Sequence, residues 1–244
     1  MALFSCLTRH SWYNLNMKAQ TNVLNVLIVG LLLVFLVGPS FGPLLGYLAF
    51  NQTDRTSTIW LSLAFLATGG IVFAVMYGLM RKEGLSFSDL GWRKATTKKA
   101  MIIGAVFGAL WGVFGIMGFL RFAPDTDIFK FDLFRIIVVL MGVIIAIGED
   151  VITRGYIMTQ LQRLGFSQWR QVLGSAILFG LYHSIWGFSI FGFAGSLVYG
   201  LILSGLFLLG KRSLTPAILS HALTFVIGEP FLTMSIFGYV RGGI

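Results

Sequence analysis

Long apolar blocks alternate with short polar segments along this chain. The blocks run from about Val23 to Phe50, Ile59 to Met80, Ala100 to Leu120, Leu133 to Leu161, Gln168 to Trp186, Phe188 to Leu209 and Leu214 to Phe237. A helix needs roughly 20 apolar residues to cross the hydrocarbon of a bilayer. The pattern therefore predicts an all-α, polytopic transmembrane helical bundle of about seven spans. Gly38-Pro39 and Gly42-Pro43 should kink the first helix or end it early. In the third block Gly104, Gly108, Gly112 and Gly115 recur at helical steps, a stripe that lets a neighbouring helix approach closely. Between the second and third blocks, Leu85, Phe87, Leu90 and Trp92 give the linker an apolar side suited to the membrane surface. Trp12 and Tyr13 precede the first block as interfacial anchors. That block starts too late and runs too long for a cleaved signal peptide.

Composition sharpens this picture. The chain is 57% hydrophobic and 11% charged over 244 residues, against about 25% charged in soluble domains, so no separate soluble unit is expected. A net charge of +9 raises the question of nucleic acid. The basic residues, however, lie between apolar blocks rather than on one aromatic-rich surface, so no nucleic-acid partner is inferred. Arg9, Lys18, Arg81, Lys82, Arg93, Lys94, Lys98, Lys99, Arg163, Arg170, Lys211 and Arg212 fall on one side of the seven-span topology. Only Arg55, Arg121, Lys130, Arg135 and Arg241 fall on the other. The positive-inside bias puts the N-terminus in the cytoplasm. Cys6 is the only cysteine, which excludes an intrachain disulfide and reads as an incidental small residue.

Against this apolar background, Glu149, Asp150 and Arg154 form a charged cluster in the middle of the fourth block. Insertion scales charge roughly 2.5–3.5 kcal/mol for each such residue at membrane depth, so the cluster must pair, face a protein interior and serve a purpose. Asp150 and Arg154 stand at i and i+4 and can pair. Glu149 is turned about 100° from Asp150 and can remain free to accept a proton. A purely structural reading, an ion pair plus a hydrogen-bonded glutamate, stays open at this level. His183 and His221 lie in the fifth and seventh blocks. A buried glutamate with two buried histidines can activate water and stabilise an oxyanion. The same three side chains could instead ligate zinc, although the His-Glu-x-x-His spacing is missing. Intramembrane ionisable groups also mark ion paths, which keeps a transporter or proton relay in view. Phe179, one turn before His183, reads as packing. Tyr182 reads equally as a substrate hydrogen-bonder or as packing. Glu229, two turns beyond His221 and next to Pro230, reads as a helix-end or outer-interface acid.

Gly148-Glu149-Asp150-Val151-Ile152-Thr153-Arg154-Gly155 resembles the Glu-Glu-x-x-x-Arg motif of the CPBP family, the CAAX-processing and bacteriocin-processing intramembrane proteases also called Abi proteins. Phe179-Gly180-Leu181-Tyr182-His183 resembles its Phe-x-x-x-His motif. Gly200 to His221 resembles its last two core helices, and Leu90-Gly91-Trp92-Arg93 its pre-core linker. The resemblance covers roughly residues 85–227. It implies residues 1–84 as an N-terminal segment with the first two spans and residues 85–244 as the protease core, with a catalytic cavity inside the membrane. It further implies endopeptidase activity on membrane-associated proteins or peptides. Glu149 would be the general base, His183 its partner on the water and His221 the oxyanion donor, with Asp150 and Arg154 shaping the site. This mechanism needs no cofactor. The chain departs from the pattern at Asp150, one methylene shorter than the second glutamate, and at Thr153 in place of phenylalanine. It also carries Phe225 where the family commonly has an asparagine donor. Loss of one such donor costs about 10²–10³ in rate. Thr224 offers a hydroxyl nearby, but about 100° away around the helix. Phe225 also supports an alternative, a weak or inactive member serving as a membrane immunity or peptide-binding scaffold protein. The small size and short loops suggest the plasma membrane of a bacterium.

Overall fold

The computed structural model describes residues 20–94, 97–187 and 190–242. Cys6, Trp12, Tyr13 and the basic residues Arg9 and Lys18 lie outside the described residues. We number the helices α1 (Gln20–Asn51), α2 (Asp54–Lys82), α3 (Lys98–Leu120), α4 (Leu133–Arg163), α5 (Gln168–Ser184), α6 (Ile190–Leu209), α7 (Thr215–Gly228) and α8 (Phe231–Gly242). No strand occurs among the described residues.

Five of these helices, α1, α2, α3, α4 and α6, are long and apolar enough to cross a membrane; α7 and α8, bent by 71° at Glu229-Pro230, make a sixth only if counted as one broken span. The expected polytopic bundle is present, and this count differs from about seven at two places. The seventh block is not one helix but this bent pair. The fifth block yields only 17 helical residues, about 25 Å at 1.5 Å per residue. Its end docks on the middle of α1, where the Trp186 indole N–H donates to the Val34 carbonyl at 2.6 Å. The glycine–proline pairs of α1 do not end the span. The backbone instead passes through a π turn at Leu33–Val37 and a 3-10 turn at Gly38–Phe41 before resuming as an α-helix from Pro43.

The glycine stripe of α3 packs against α7. Ala100, Gly104, Gly108, Gly112 and Gly115 are buried, while Ile102, Val106, Leu110, Phe114 and Met117 on the opposite face are exposed for lipid. The approach is so close that a β-carbon on Gly104 would meet the Pro216 carbonyl oxygen at 2.6 Å and one on Gly112 the Thr224 oxygen at 2.9 Å. Backbone thus lies against backbone, and the position of α7 is fixed relative to α3 without large side chains between them.

Polar contacts tie the bundle at both ends. At one end Glu83, just past α2, accepts from Asn25 at 2.5 Å, from Tyr156 at 3.1 Å and from Gln160 at 2.6 Å, and it pairs with Arg163. The linker after α2 folds onto the loop before α7: the Leu214 N–H donates to the Gly91 carbonyl at 2.8 Å, and Arg93 donates to the Lys211 carbonyl at 2.9 Å. Leu90 is fully buried in this contact while Trp92 stays exposed. At the other end Arg55 pairs with Asp132 at 2.7 Å and Arg241 with Asp54 at 2.6 Å. Asp132 caps α4, accepting from the Arg135 N–H at 3.0 Å, and this bond with the nearby Arg55 holds its carboxyl below the usual carboxylate range. Between the two rims a single large core cluster joins α1, α2, α4, α5, α6 and α7.

Candidate active site

The site is built where α4 changes its winding. Leu133–Asp150 is α-helical and Val151–Ile157 forms a π turn, all seven residues of which are buried. Single π turns inside α-helices are frequent at functional sites because they redirect side chains while keeping the helix continuous. Here the turn follows Glu149 and Asp150 directly. The Thr153 hydroxyl donates back to the Glu149 carbonyl at 2.5 Å, and the Thr153 carbonyl accepts from Ser175 on α5 at 2.9 Å.

The structure brings Glu149, His183 and His221 together. His183 Nε2 lies 3.9 Å from Glu149 Oε1 and His221 Nε2 lies 3.7 Å from Glu149 Oε2. Both separations exceed a direct hydrogen bond but are short enough for one water to reach both groups. The tautomer of His183 follows from its partner: Nδ1 sits 2.8 Å from the Phe179 carbonyl, which only accepts, so Nδ1 carries the hydrogen and Nε2 presents a lone pair toward Glu149. Tyr182, fully buried, donates its hydroxyl to Glu149 Oε1 at 3.0 Å and so orients the carboxylate. Tyr182 also packs in the main core cluster against Phe179 and His183, the packing role that the sequence left open, and the bond to Glu149 comes in addition.

Asp150 turns the other way, as its position on the helix predicts. Its carboxylate lies between Arg154 Nη1 at 3.3 Å and His221 Nδ1 at 3.4 Å, with Asp150 and Arg154 fully buried. His221 therefore spans the two acids, one at each ring nitrogen. Arg154 also donates to Thr153 Oγ1 at 2.7 Å, and its guanidinium lies over the Phe179 ring at 4.3 Å. Phe179 packs against the His183 ring as well, with centroids 4.2 Å apart. It is thus a spacer that carries both the cation and the imidazole, consistent with its expected packing role.

Phe225 stacks on His221 at 5.4 Å and 25°, and fills the space left by Gly142 on α4. The Thr224 hydroxyl is engaged with Tyr199 at 2.8 Å and with the Gly108 and Ser220 carbonyls at 3.2 Å each. It is committed to the α3–α7–α6 junction and does not stand as a free donor. Glu229 is at a helix end, as expected of a helix-end or outer-interface acid; it is 1% exposed and faces the same cavity as Glu149. Sequence reasoning missed Tyr199, whose ring stands edge-on to His221 at 5.3 Å, and Phe41 of α1, which packs on His183 at 4.4 Å. Both are aromatic residues in apolar helices and carry no local signal.

These residues line a cavity of about 180 Å³ that includes Glu149, His183, His221, Thr224, Phe225 and Glu229. A water occupies about 30 Å³ in the liquid, so the cavity has room for several. A second, almost wholly apolar cavity of about 310 Å³ lies between α1, α2 and α4, lined by Leu33, Gly69, Gly70, Phe73 and Ile144, and it too reaches Glu149. Among the described residues no group of three His, Cys, Asp or Glu side chains is arranged to hold a metal ion.

Fold and site together define a class: a polytopic helical membrane protein with a glutamate and two histidines around a cavity inside the bundle. Residues 131–227 match the family described as type II CAAX prenyl endopeptidase Rce1-like, in agreement with the CPBP resemblance carried by the motifs. The matched segment runs from just before α4 to near the end of α7 and contains Glu149, Asp150, Arg154, Phe179, His183, His221, Thr224 and Phe225. Neither the curated proteins nor the solved structures contain a match to the chain.

Proposed function

We propose that this integral membrane protein is an intramembrane endopeptidase that hydrolyses peptide bonds of membrane-associated proteins or peptides with water activated by Glu149 and His183. The observation that carries this reading is the convergence of one carboxylate and two imidazoles, within 3.7–3.9 Å, on a cavity walled by apolar helices. Water between Glu149 and the bare Nε2 of His183 gives its proton to the carboxylate as its oxygen attacks the scissile carbonyl. Glu149 then returns that proton to the leaving amine. Asp150 lies 3.4 Å from His221 Nδ1, which leaves Nε2 facing the cavity; as the imidazolium, His221 carries an N–H at Nε2 that stabilises the oxyanion, with the Asp150 carboxylate beside it as counter-charge. Arg154 holds Asp150 for this task and Tyr182 holds Glu149. The chemistry uses only these side chains. The lysine and arginine asymmetry supports a cytoplasmic N-terminus, and the compact chain suits a bacterial plasma membrane.

The test is cleavage of membrane peptides by the purified protein in detergent. Glu149→Gln and His183→Ala should abolish turnover while the protein remains folded; turnover at wild-type rates in either variant ends the proposal. Phe225 and the committed Thr224 hydroxyl favour a second reading, a peptide-binding immunity or scaffold protein without turnover. A cellular phenotype that survives Glu149→Ala, with wild-type abundance, selects that reading instead.

A further inference from the structure

The cavity wall carries a second carboxylate to which the mechanism above gives no task. Glu229 caps the C-terminal end of α7 and is 1% exposed. Both of its oxygens are met by one residue: the Thr233 hydroxyl donates to Oε1 at 2.7 Å and the Thr233 N–H to Oε2 at 3.4 Å. Among the described residues no Lys, Arg or His lies within ion-pair distance of it. Of the arginines at that end of the bundle, Arg55 pairs with Asp132 and Arg241 with Asp54, while Arg135 donates to the Ile128 carbonyl and lies over the Phe231 ring without an ion-pair contact to Glu229. A buried acid with two donors and no counter-charge is costly to keep. A cation or an N–H group entering the cavity beside it offsets that cost.

The position of Glu229 sets what it can read. It follows His221 by eight residues on one helix, about 12 Å at 1.5 Å per residue. An extended peptide covers that length in roughly three to four residues at about 3.3 Å each. We propose that Glu229, oriented by Thr233, forms a recognition subsite for a basic group, a lysine or arginine side chain or a free α-amine. That group belongs to the substrate residue three or four positions from the scissile bond. The same carboxylate repels a free C-terminal carboxylate at that distance. This inference rests on the protease reading and adds to it a charge preference.

The test uses the full-length protein in detergent and membrane peptides that carry lysine, norleucine or glutamate three and four residues to either side of the scissile bond. The lysine-to-norleucine ratio of kcat/KM is read within each variant, so a general loss of activity cancels. The wild type should prefer lysine by about tenfold on one side, as charged hydrogen bonds allow. The ratio should fall to about one in Glu229→Gln and be partly kept in Glu229→Asp. Binding of the same peptides to Glu149→Gln, followed by fluorescence anisotropy, measures the preference without turnover. Lysine-selective binding with no cleavage by the wild type keeps the subsite and sinks the protease reading. Cleavage with a flat ratio in the wild type, or with a ratio unchanged in Glu229→Gln, overturns the subsite.

Discussion

Gly108→Ala is a one-carbon change on α3, the helix packed directly against the α7 segment that carries His221, and the packing makes it consequential. A methyl group built on Gly104 stands 2.6 Å from the Pro216 carbonyl oxygen, where ordinary contact begins at 3.4 Å; the same construction at Gly108 falls still closer to the Ser220 carbonyl oxygen. The obstacle is backbone, so no rotamer change relieves it. The segment of α7 at Ser220 must retreat by about 1 Å or more, and His221 is the next residue. The same retreat stretches the bond from Thr224 Oγ1 to the Gly108 carbonyl, now 3.2 Å. Overpacking of this kind costs about 1–3 kcal/mol in stability. A displacement of about 1 Å in a catalytic group can cost on the order of 10²-fold in rate. The assay is kcat/KM on a membrane peptide together with thermal unfolding in detergent. Gly78→Ala serves as control, since nothing lies within 4 Å of a β-carbon there; it should stay within about 0.5 kcal/mol of wild type. A Gly108→Ala protein with wild-type turnover and stability would refute the claim that the α3–α7 seam positions His221.

Tyr182→Phe removes the 3.0 Å bond to Glu149 and should lower kcat about 3- to 10-fold with little change in KM, as one neutral donor is worth about 0.5–1.5 kcal/mol. Arg154→Leu strands Asp150 in a fully buried place and should destabilise the protein by about 3–5 kcal/mol, read as a fall in thermal midpoint. Adding Asp150→Asn to Arg154→Leu should then cost less than the two single changes together, because the pair acts as a unit.

Much of this was legible in the chain. The apolar blocks mark the spans because lipid tolerates no unpaired backbone, and the glycine stripe of α3 names its own packing face. Glu149, His183 and His221 stand out because ionisable groups are costly in lipid. The i, i+4 spacing gives the Asp150–Arg154 pair directly. What escaped depends on three-dimensional neighbours. The π turn after Asp150 has no composition of its own. The shortness of α5 reflects where Trp186 meets α1, not its hydropathy. Glu83, which shares its basic linker with Asp89, carries no sequence signal of its own, and only the fold brings Asn25, Tyr156, Gln160 and Arg163 onto it. Glu229 reads as a rim residue because its neighbour Pro230 signals a helix end. That signal is right, but the helix ends inside the bundle.

The central claim is that Glu149 delivers a water molecule to the peptide carbonyl rather than attacking it. A single turnover in water labelled with heavy oxygen, with enzyme in excess over peptide, tests it most directly. The account predicts that the new carboxylate carries one solvent oxygen from that first turnover and that Glu149→Gln forms no product. An unlabelled carboxylate in the first turnover, or labelled product from Glu149→Gln, would contradict it.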